Sequence, residues 1–155
     1  MSSLRELHLI AHDIRSAQNI GSLFRMADSI GVQKIWITGI SPTPLHPFVK
    51  KTALGSEKAV EWEKRLNITD VLQTVRLNHF RIIGLEIDPR AKNLNEFYPP
   101  MKMALLLGNE VEGITPSLRD LCDDLIYISQ KGIKESMNVA SAASIASYML
   151  LHHDI

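Results

Sequence analysis

Residues 103–113 read MALLLGNEVEG, an apolar run followed by a loop with a glycine at each end. A short, continuous apolar run bounded by turn residues predicts a strand buried on both faces, as in a parallel sheet. Glycine permits sharp turns and close backbone approach, so the loop 108–113 fits a ligand pocket at the carboxyl end of that strand. It equally fits a plain turn into a helix in which Thr115 is the cap and Pro116 the first residue.

Four other short apolar runs are spread along the chain. Together with the first, they predict strands at residues 7–11, 34–38, 81–85, 103–107 and 125–128. Helical spacing of apolar residues predicts helices at 17–30, 68–77, 117–122 and 139–151. Strands that alternate with helices predict an α/β fold with a mostly parallel sheet and flanking helices.

Composition narrows the class of protein. The 155 residues fit a single domain, and 45% apolar with 22% charged residues is typical of soluble globular proteins. Basic and acidic residues balance at 17 each, so no protein-wide positive field attracts nucleic acid, and any contact with one must be local. Cys122 is alone, which excludes an internal disulfide, and no Cys/His spacing predicts a metal site.

The chain carries no signal-peptide pattern at its start, and its apolar runs are too short to cross a membrane. We therefore expect a cytoplasmic protein with no membrane partner. Residues 41–47 contain three of the seven prolines and predict a surface loop. The adjacent Lys50 and Lys51 fit a local phosphate contact, although the pattern favours a solvated pair of lysines.

Three motifs carry the functional signal as a set. They are NIGSLFRMADSIG at 19–31, GNEVEG at 108–113 and SMN at 136–138. In this order and at these separations they resemble the SpoU/TrmH branch of the SPOUT RNA methyltransferases, over residues 7–151. The resemblance implies a C-terminal deep trefoil knot, a homodimer in which two subunits build each active site, and S-adenosylmethionine as cofactor.

The same resemblance implies roles for individual residues. It assigns a catalytic site to Arg25, Asn19, Glu110, Ser136 and Asn138. It assigns cofactor binding to Leu107, Gly108, Asn109, Gly113, Ile128, Gln130, Gly132 and Met137. Taken singly, the first motif also fits an amphipathic helix with an exposed arginine, and a serine at a helix start is commonly a cap.

Arg25 has two candidate roles in such a site. The resemblance implies that Arg25 either binds the phosphate of the target nucleotide or helps to remove the proton of the ribose 2′-hydroxyl. Because an arginine pKa lies above about 12, phosphate binding suits this side chain better than proton removal. The chain departs from the family at Ser129 and Gln130, where Pro and Met are usual, and at Ala140, where Ser is common.

These inferences together predict an S-adenosylmethionine-dependent methyltransferase that acts on a ribose 2′-hydroxyl of RNA, with tRNA favoured over rRNA and no DNA partner. The 2′-hydroxyl is the group that separates RNA from DNA. Two alternatives stay open: a non-enzymatic RNA-binding module of the same fold, and a methyltransferase for a small molecule. The zero net charge favours the second of these.

Overall fold

A computed structural model describes residues 4–134 and 136–154 of the chain. The strands in these ranges are β1 (Glu6–His12), β2 (Lys34–Thr38), β3 (Glu61–Arg65), β4 (Arg81–Leu85), β5 (Lys92–Asn93), β6 (Lys102–Leu107) and β7 (Asp124–Tyr127). They form one sheet in the order β3-β2-β1-β6-β4-β7-β5, and each neighbouring pair is parallel. The predicted parallel sheet is therefore confirmed, and all its carboxyl ends lie at one edge.

Helices cover both faces of this sheet. They are α1 (Ala17–Ile30), α2 (Pro47–Ala53), α3 (Ile68–Leu77), α4 (Pro116–Leu121) and α5 (Val139–Leu151). One core joins α1, α2 and α5 to the sheet through residues such as Phe24, Val49 and Leu150, while a second core joins α3 and α4 through Val71 and Leu118. The flanking helices predicted from the sequence are confirmed as two layers around the sheet.

Two strands and one α-helix were not predicted from the sequence. β3 has four charged residues out of five and lies at the sheet edge, so it lacks the apolar pattern of a buried strand. β5 is only two residues long. α2 begins at Pro47, inside the stretch predicted as a loop, because proline is compatible with the first turn of a helix. None of the described helices is long and apolar enough to cross a membrane.

Gly21 allows α1 and α2 to pack backbone against backbone. A Cβ at this position would lie 2.5 Å from Thr52 Cβ and 2.8 Å from the Val49 carbonyl oxygen. Glycine to alanine inside a helix ordinarily stabilises by about 1 kcal/mol, but here the added methyl meets backbone that cannot move independently.

We expect Gly21→Ala to lower the free energy of unfolding by about 2 kcal/mol, because overpacking outweighs the gain in helix propensity. Urea denaturation measures it, with Ser22→Ala in the same helix as the control. A Gly21→Ala protein that is as stable as the parent would contradict the tight crossing.

Candidate active site

A cavity of about 330 Å³ opens at the carboxyl edge of the sheet. Three neighbouring strands, β6, β4 and β7, end at its wall, and the start of α5 closes it. The lining residues are 85–87, 107–113, 119, 127, 128, 130, 136–139 and 142. A crevice outside the carboxyl ends of parallel strands is the usual ligand site of open α/β sheets, and this volume suits a small molecule.

The loop 108–113 folds back on itself to form one wall. Asn109 and Gly113 exchange backbone hydrogen bonds, at 3.2 Å from the Asn109 N–H and 2.8 Å from the Gly113 N–H. The Asn109 side chain accepts from the N–H groups of Val111 and Glu112 and donates to the Asp13 carbonyl oxygen at 2.8 Å. A Cβ on Gly108 would lie 2.3 Å from the Gly113 carbonyl carbon, so the closed loop requires a glycine there.

Glu110 fastens this loop to the start of α1. Its Oε1 accepts from the Arg15 N–H at 3.0 Å, and its Oε2 accepts from the Ser16 N–H at 2.9 Å. The Asn19 side-chain amide donates to the same Oε2 at 3.1 Å. Ser16 is the cap residue of α1, with its hydroxyl oxygen accepting from the Asn19 N–H. The carboxylate is thus surrounded by donors at the positive end of a helix.

Asn138 completes a chain of contacts across the three sequence motifs. Its amide nitrogen donates to Asn19 Oδ1 at 3.1 Å, while its own oxygen accepts from Ala140 and Ser141 and caps α5. Because a carboxylate only accepts, Asn19 must turn its nitrogen to Glu110 and its oxygen to Asn138. The order Glu110–Asn19–Asn138 is therefore fixed by hydrogen-bond chemistry.

Burial raises the pKa of Glu110, but hydrogen bonds from Arg15, Ser16 and Asn19 outweigh it and hold the pKa below its ordinary value. The carboxylate is therefore charged at neutral pH. Its contribution to stability is complete above the unfolded-state pKa of about 4.3 and is lost as the pH falls through the lower folded-state pKa.

We expect Glu110→Gln to lose about 1 kcal/mol of unfolding free energy at pH 7, and the deficit to shrink as the pH falls below about 4. Urea denaturation at pH 7 and at a pH below about 4 measures this deficit, and Glu112→Gln, at an exposed position, is the control. An equal deficit at both pH values would contradict an ionised clamp.

The structure brings most of the residues implied by the resemblance to one place. The cavity is lined by Leu107, Gly108, Asn109, Glu110, Gly113, Ile128, Gln130, Ser136, Met137 and Asn138. Asn19 lies behind them in the hydrogen-bonded chain. Gly132 is exposed and lies outside the lining.

Arg25 also lies outside the cavity lining. It is exposed on α1, six residues after Asn19, which places it about 9 Å further along the helix axis. Within residues 4–134 and 136–154 its guanidinium makes no hydrogen bond or ion pair. The cavity and Arg25 are thus separate features of the chain.

Several residues of the cavity wall, on β7, α4 and α5 and directly after β4, were missed by sequence reasoning. Glu86, Ile87, Arg119, Tyr127 and Ala142 all line the cavity. Arg119 links α4 to two neighbouring segments: its guanidinium donates to the Ile114 carbonyl oxygen at 2.7 Å and to Asp88 at 3.3 Å. Side-chain hydrogen bonds from Arg90 and Arg119 hold the pKa of Asp88 well below its ordinary value.

Comparison with known proteins bears directly on this arrangement. The sequence model of the SpoU rRNA Methylase family matches residues 6–148, which is nearly the whole chain. The chain belongs to the SpoU rRNA methylase family.

Individual relatives of this SpoU chain are longer than the chain itself. It is 25% identical over 143 residues to the 23S rRNA (guanosine-2′-O-)-methyltransferase RlmB of Acinetobacter baylyi, covering 92% of this chain and 58% of the relative. An AdoMet-bound rRNA methyltransferase from Sinorhizobium meliloti superposes with a TM-score of 0.90 at 23% identity, covering 99% of this chain and 58% of the other. The chain thus spans less than two thirds of these proteins.

Another solved structure has nearly the same length. It is described as giving insight into 2-OH methylation on tRNA, and it superposes with a TM-score of 0.83 at 21% identity. The match covers 94% of each chain. These similarities confirm the α/β fold with a mostly parallel sheet and flanking helices that the sequence predicted.

Proposed function

We propose that residues 1–155 form a single SPOUT methyltransferase domain that transfers a methyl group from S-adenosylmethionine to a ribose 2′-hydroxyl of RNA. The observation that carries this proposal is the cavity at the carboxyl edge of the sheet, walled by the second and third SpoU motifs and fastened to the first through Glu110 and Asn19. The compartment that fits this activity is the cytosol. It contains RNA, and its reducing conditions suit a chain with a single cysteine.

The cavity lining suits the cofactor. Apolar side chains at Leu85, Leu107, Ile128 and Met137 offer a surface for a purine, and backbone at Gly108 and Gly113 permits close approach. The glutamate side chains in the wall favour a ligand with a positive charge. When bound, S-adenosylmethionine supplies an electrophilic methyl group on a sulfonium. Asn109 and Gln130 complete the set of lining residues that we assign to its binding, whereas Gly132 lies outside the lining.

The chain's own residues then position the RNA. Arg25 is free to bind a phosphate bidentately, since its guanidinium is exposed and permanently charged. Asn19 is held by Glu110 and Asn138, so it acts as a fixed polar group beside the cavity. Glu110 acts as a positioning residue and not as a general base, because its oxygens already accept three hydrogen bonds. Ser136 and Asn138, at the cavity wall, complete the catalytic group.

We further propose a homodimer in which Arg25 of one subunit serves the cavity of the other. The separation of Arg25 from its own cavity supports this arrangement. Mixing Arg25→Ala subunits with Gly108→Ala subunits tests it, since each homodimer lacks one half of the site. Return of activity in the mixture supports shared sites, whereas an inactive mixture that has demonstrably exchanged subunits contradicts them.

The C-terminal deep trefoil knot is likewise a proposal. The path of α5 supports it. The chain leaves β7, which is separated from β1 by β6 and β4 in the sheet, and then crosses back so that α5 packs against α1 and β1. The Arg5 side chain reaches the His153 carbonyl oxygen at 2.8 Å, so the ends of the chain can be cross-linked in the folded state. The test compares two cross-linked samples under denaturing conditions: one closed into a ring while folded, and one closed after full unfolding. If the fold is knotted, the first ring should have the smaller hydrodynamic radius. Equal hydrodynamic radii would contradict the knot.

We propose tRNA as the substrate in preference to rRNA. The support is the neighbour associated with 2-OH methylation on tRNA, since the match covers 94% of that chain as well as 94% of this one. The rRNA naming of the family and of the Acinetobacter relative keeps rRNA as the second candidate. Incubation with labelled S-adenosylmethionine and separate tRNA and rRNA pools tests the choice. Label in rRNA alone would overturn it.

A further inference from the structure

The cavity wall contains three glutamates, and they differ in how much hydrogen-bonding capacity they retain. Glu110 is committed to three donors at the start of α1. Glu112 is exposed at the rim. Glu86 is half-buried and lies where β4 ends, between the loop 108–113 and Ile87. Glu86 is therefore the carboxylate best placed to meet a ligand inside the cavity.

Backbone groups fix the orientation of Glu86. Its N–H donates to the Ile126 carbonyl oxygen at 3.0 Å, which anchors it to β7. Its Oε1 accepts from the Ile87 N–H at 2.9 Å, and its Oε2 accepts from the Ile114 N–H at 2.8 Å. A Cβ on Gly113 would lie 2.1 Å from Oε2, so the carboxylate rests directly on the glycine backbone.

The two backbone bonds leave acceptor capacity on both oxygens. An ionised carboxylate offers about four lone-pair sites, so about two remain after Ile87 and Ile114 have donated. Two oxygens that each accept one more hydrogen match a pair of hydroxyls on adjacent carbons. Acidic side chains at the carboxyl ends of parallel strands bind ribose hydroxyls in this way in dinucleotide-binding folds.

We propose that Glu86 binds the ribose 2′- and 3′-hydroxyls of the cofactor. This inference rests on the proposed function, because it requires an adenosine-containing ligand in the cavity. Leu85 and Leu107, at the ends of the adjacent strands β4 and β6, flank Glu86 and give the purine an apolar surface next to it. The carboxylate thus selects the sugar, while the apolar wall accepts the base.

Calorimetric binding of three ligands to the full chain tests the proposal. S-adenosylhomocysteine carries the diol and the amino-acid part, 5′-methylthioadenosine carries the diol alone, and 2′,3′-dideoxy-5′-methylthioadenosine carries neither. We expect Glu86→Gln to weaken the first two by about tenfold each and the dideoxy ligand by less than about twofold, because only charge-assisted bonds to the diol are lost. Glu61→Gln, exposed on β3 and remote from the cavity, is the control.

Each other outcome overturns the proposal in a distinct way. Loss of S-adenosylhomocysteine affinity alone would assign Glu86 to the ammonium group. Equal loss for all three ligands would make it only a support for the loop 108–113. Failure of the wild-type chain to bind any of them would remove the proposed function as well. If Glu86→Gln does not fold, the wild-type chain still decides, since it should bind methylthioadenosine about tenfold tighter than the dideoxy ligand.

Discussion

Arg25→Ala should abolish methyl transfer while cofactor binding stays intact. We expect the rate of transfer to RNA to fall by about 10³-fold, because in the proposed mechanism the substitution removes the charge that positions the target phosphate at the reacting centre. Affinity for S-adenosylhomocysteine should change by less than about twofold, since Arg25 lies outside the cavity lining. Single-turnover transfer assays and calorimetry measure the two quantities separately.

Two further variants make this result specific. Arg25→Lys keeps the charge but loses the planar fork, so it should recover only part of the rate if the contact is bidentate. Asp28→Ala changes an exposed residue one turn later on α1 and should leave transfer unaffected. Unchanged turnover in Arg25→Ala would remove this residue from the mechanism, and lost cofactor affinity would place it in the cavity.

Gly108→Ala should destroy the cofactor site. The new methyl would lie 2.3 Å from the Gly113 carbonyl carbon and 2.5 Å from the Ile114 nitrogen, so the closed loop must open. We expect affinity for S-adenosylhomocysteine to fall by at least about 100-fold and the free energy of unfolding by about 3 kcal/mol. Calorimetry and urea denaturation measure the two effects.

The matched control for Gly108→Ala is Gly21→Ala. Both substitutions force a methyl group against backbone, but Gly21 lies between α1 and α2 rather than at the cavity wall. Gly21→Ala should therefore lose stability and keep cofactor affinity in its folded fraction. If Gly108→Ala binds the cofactor as tightly as the parent, the loop 108–113 is not the cofactor wall.

The sequence predicted elements well where one residue pattern dominates. α1 begins at Ala17 and ends at Ile30 as its apolar spacing and Gly31 indicate, because a buried helical face and a glycine stop act locally. β3 was missed because its charged residues are tolerated only at a sheet edge, and edge position is a property of the assembled sheet.

The site was predictable only in part for the same reason. Glycines and polar residues after an apolar run marked the loop 108–113, and the motif likeness pointed to Asn19 and Asn138. Glu86 carried no such signal, since its role depends on β4 lying between β6 and β7 in the sheet. The position of Arg25 outside the cavity could not be read from sequence either, because it depends on which face of α1 packs on the core.

The central claim is that the methyl group reaches a ribose oxygen of RNA. The most direct measurement is nucleoside analysis of RNA that has received label from S-adenosylmethionine, combined with alkaline hydrolysis. A 2′-O-methyl group removes the hydroxyl that attacks the adjacent phosphate, so the label should appear in an alkali-resistant dinucleotide and in a 2′-O-methyl nucleoside. Label in a methylated base, or in mononucleotides released by alkali, would contradict the account.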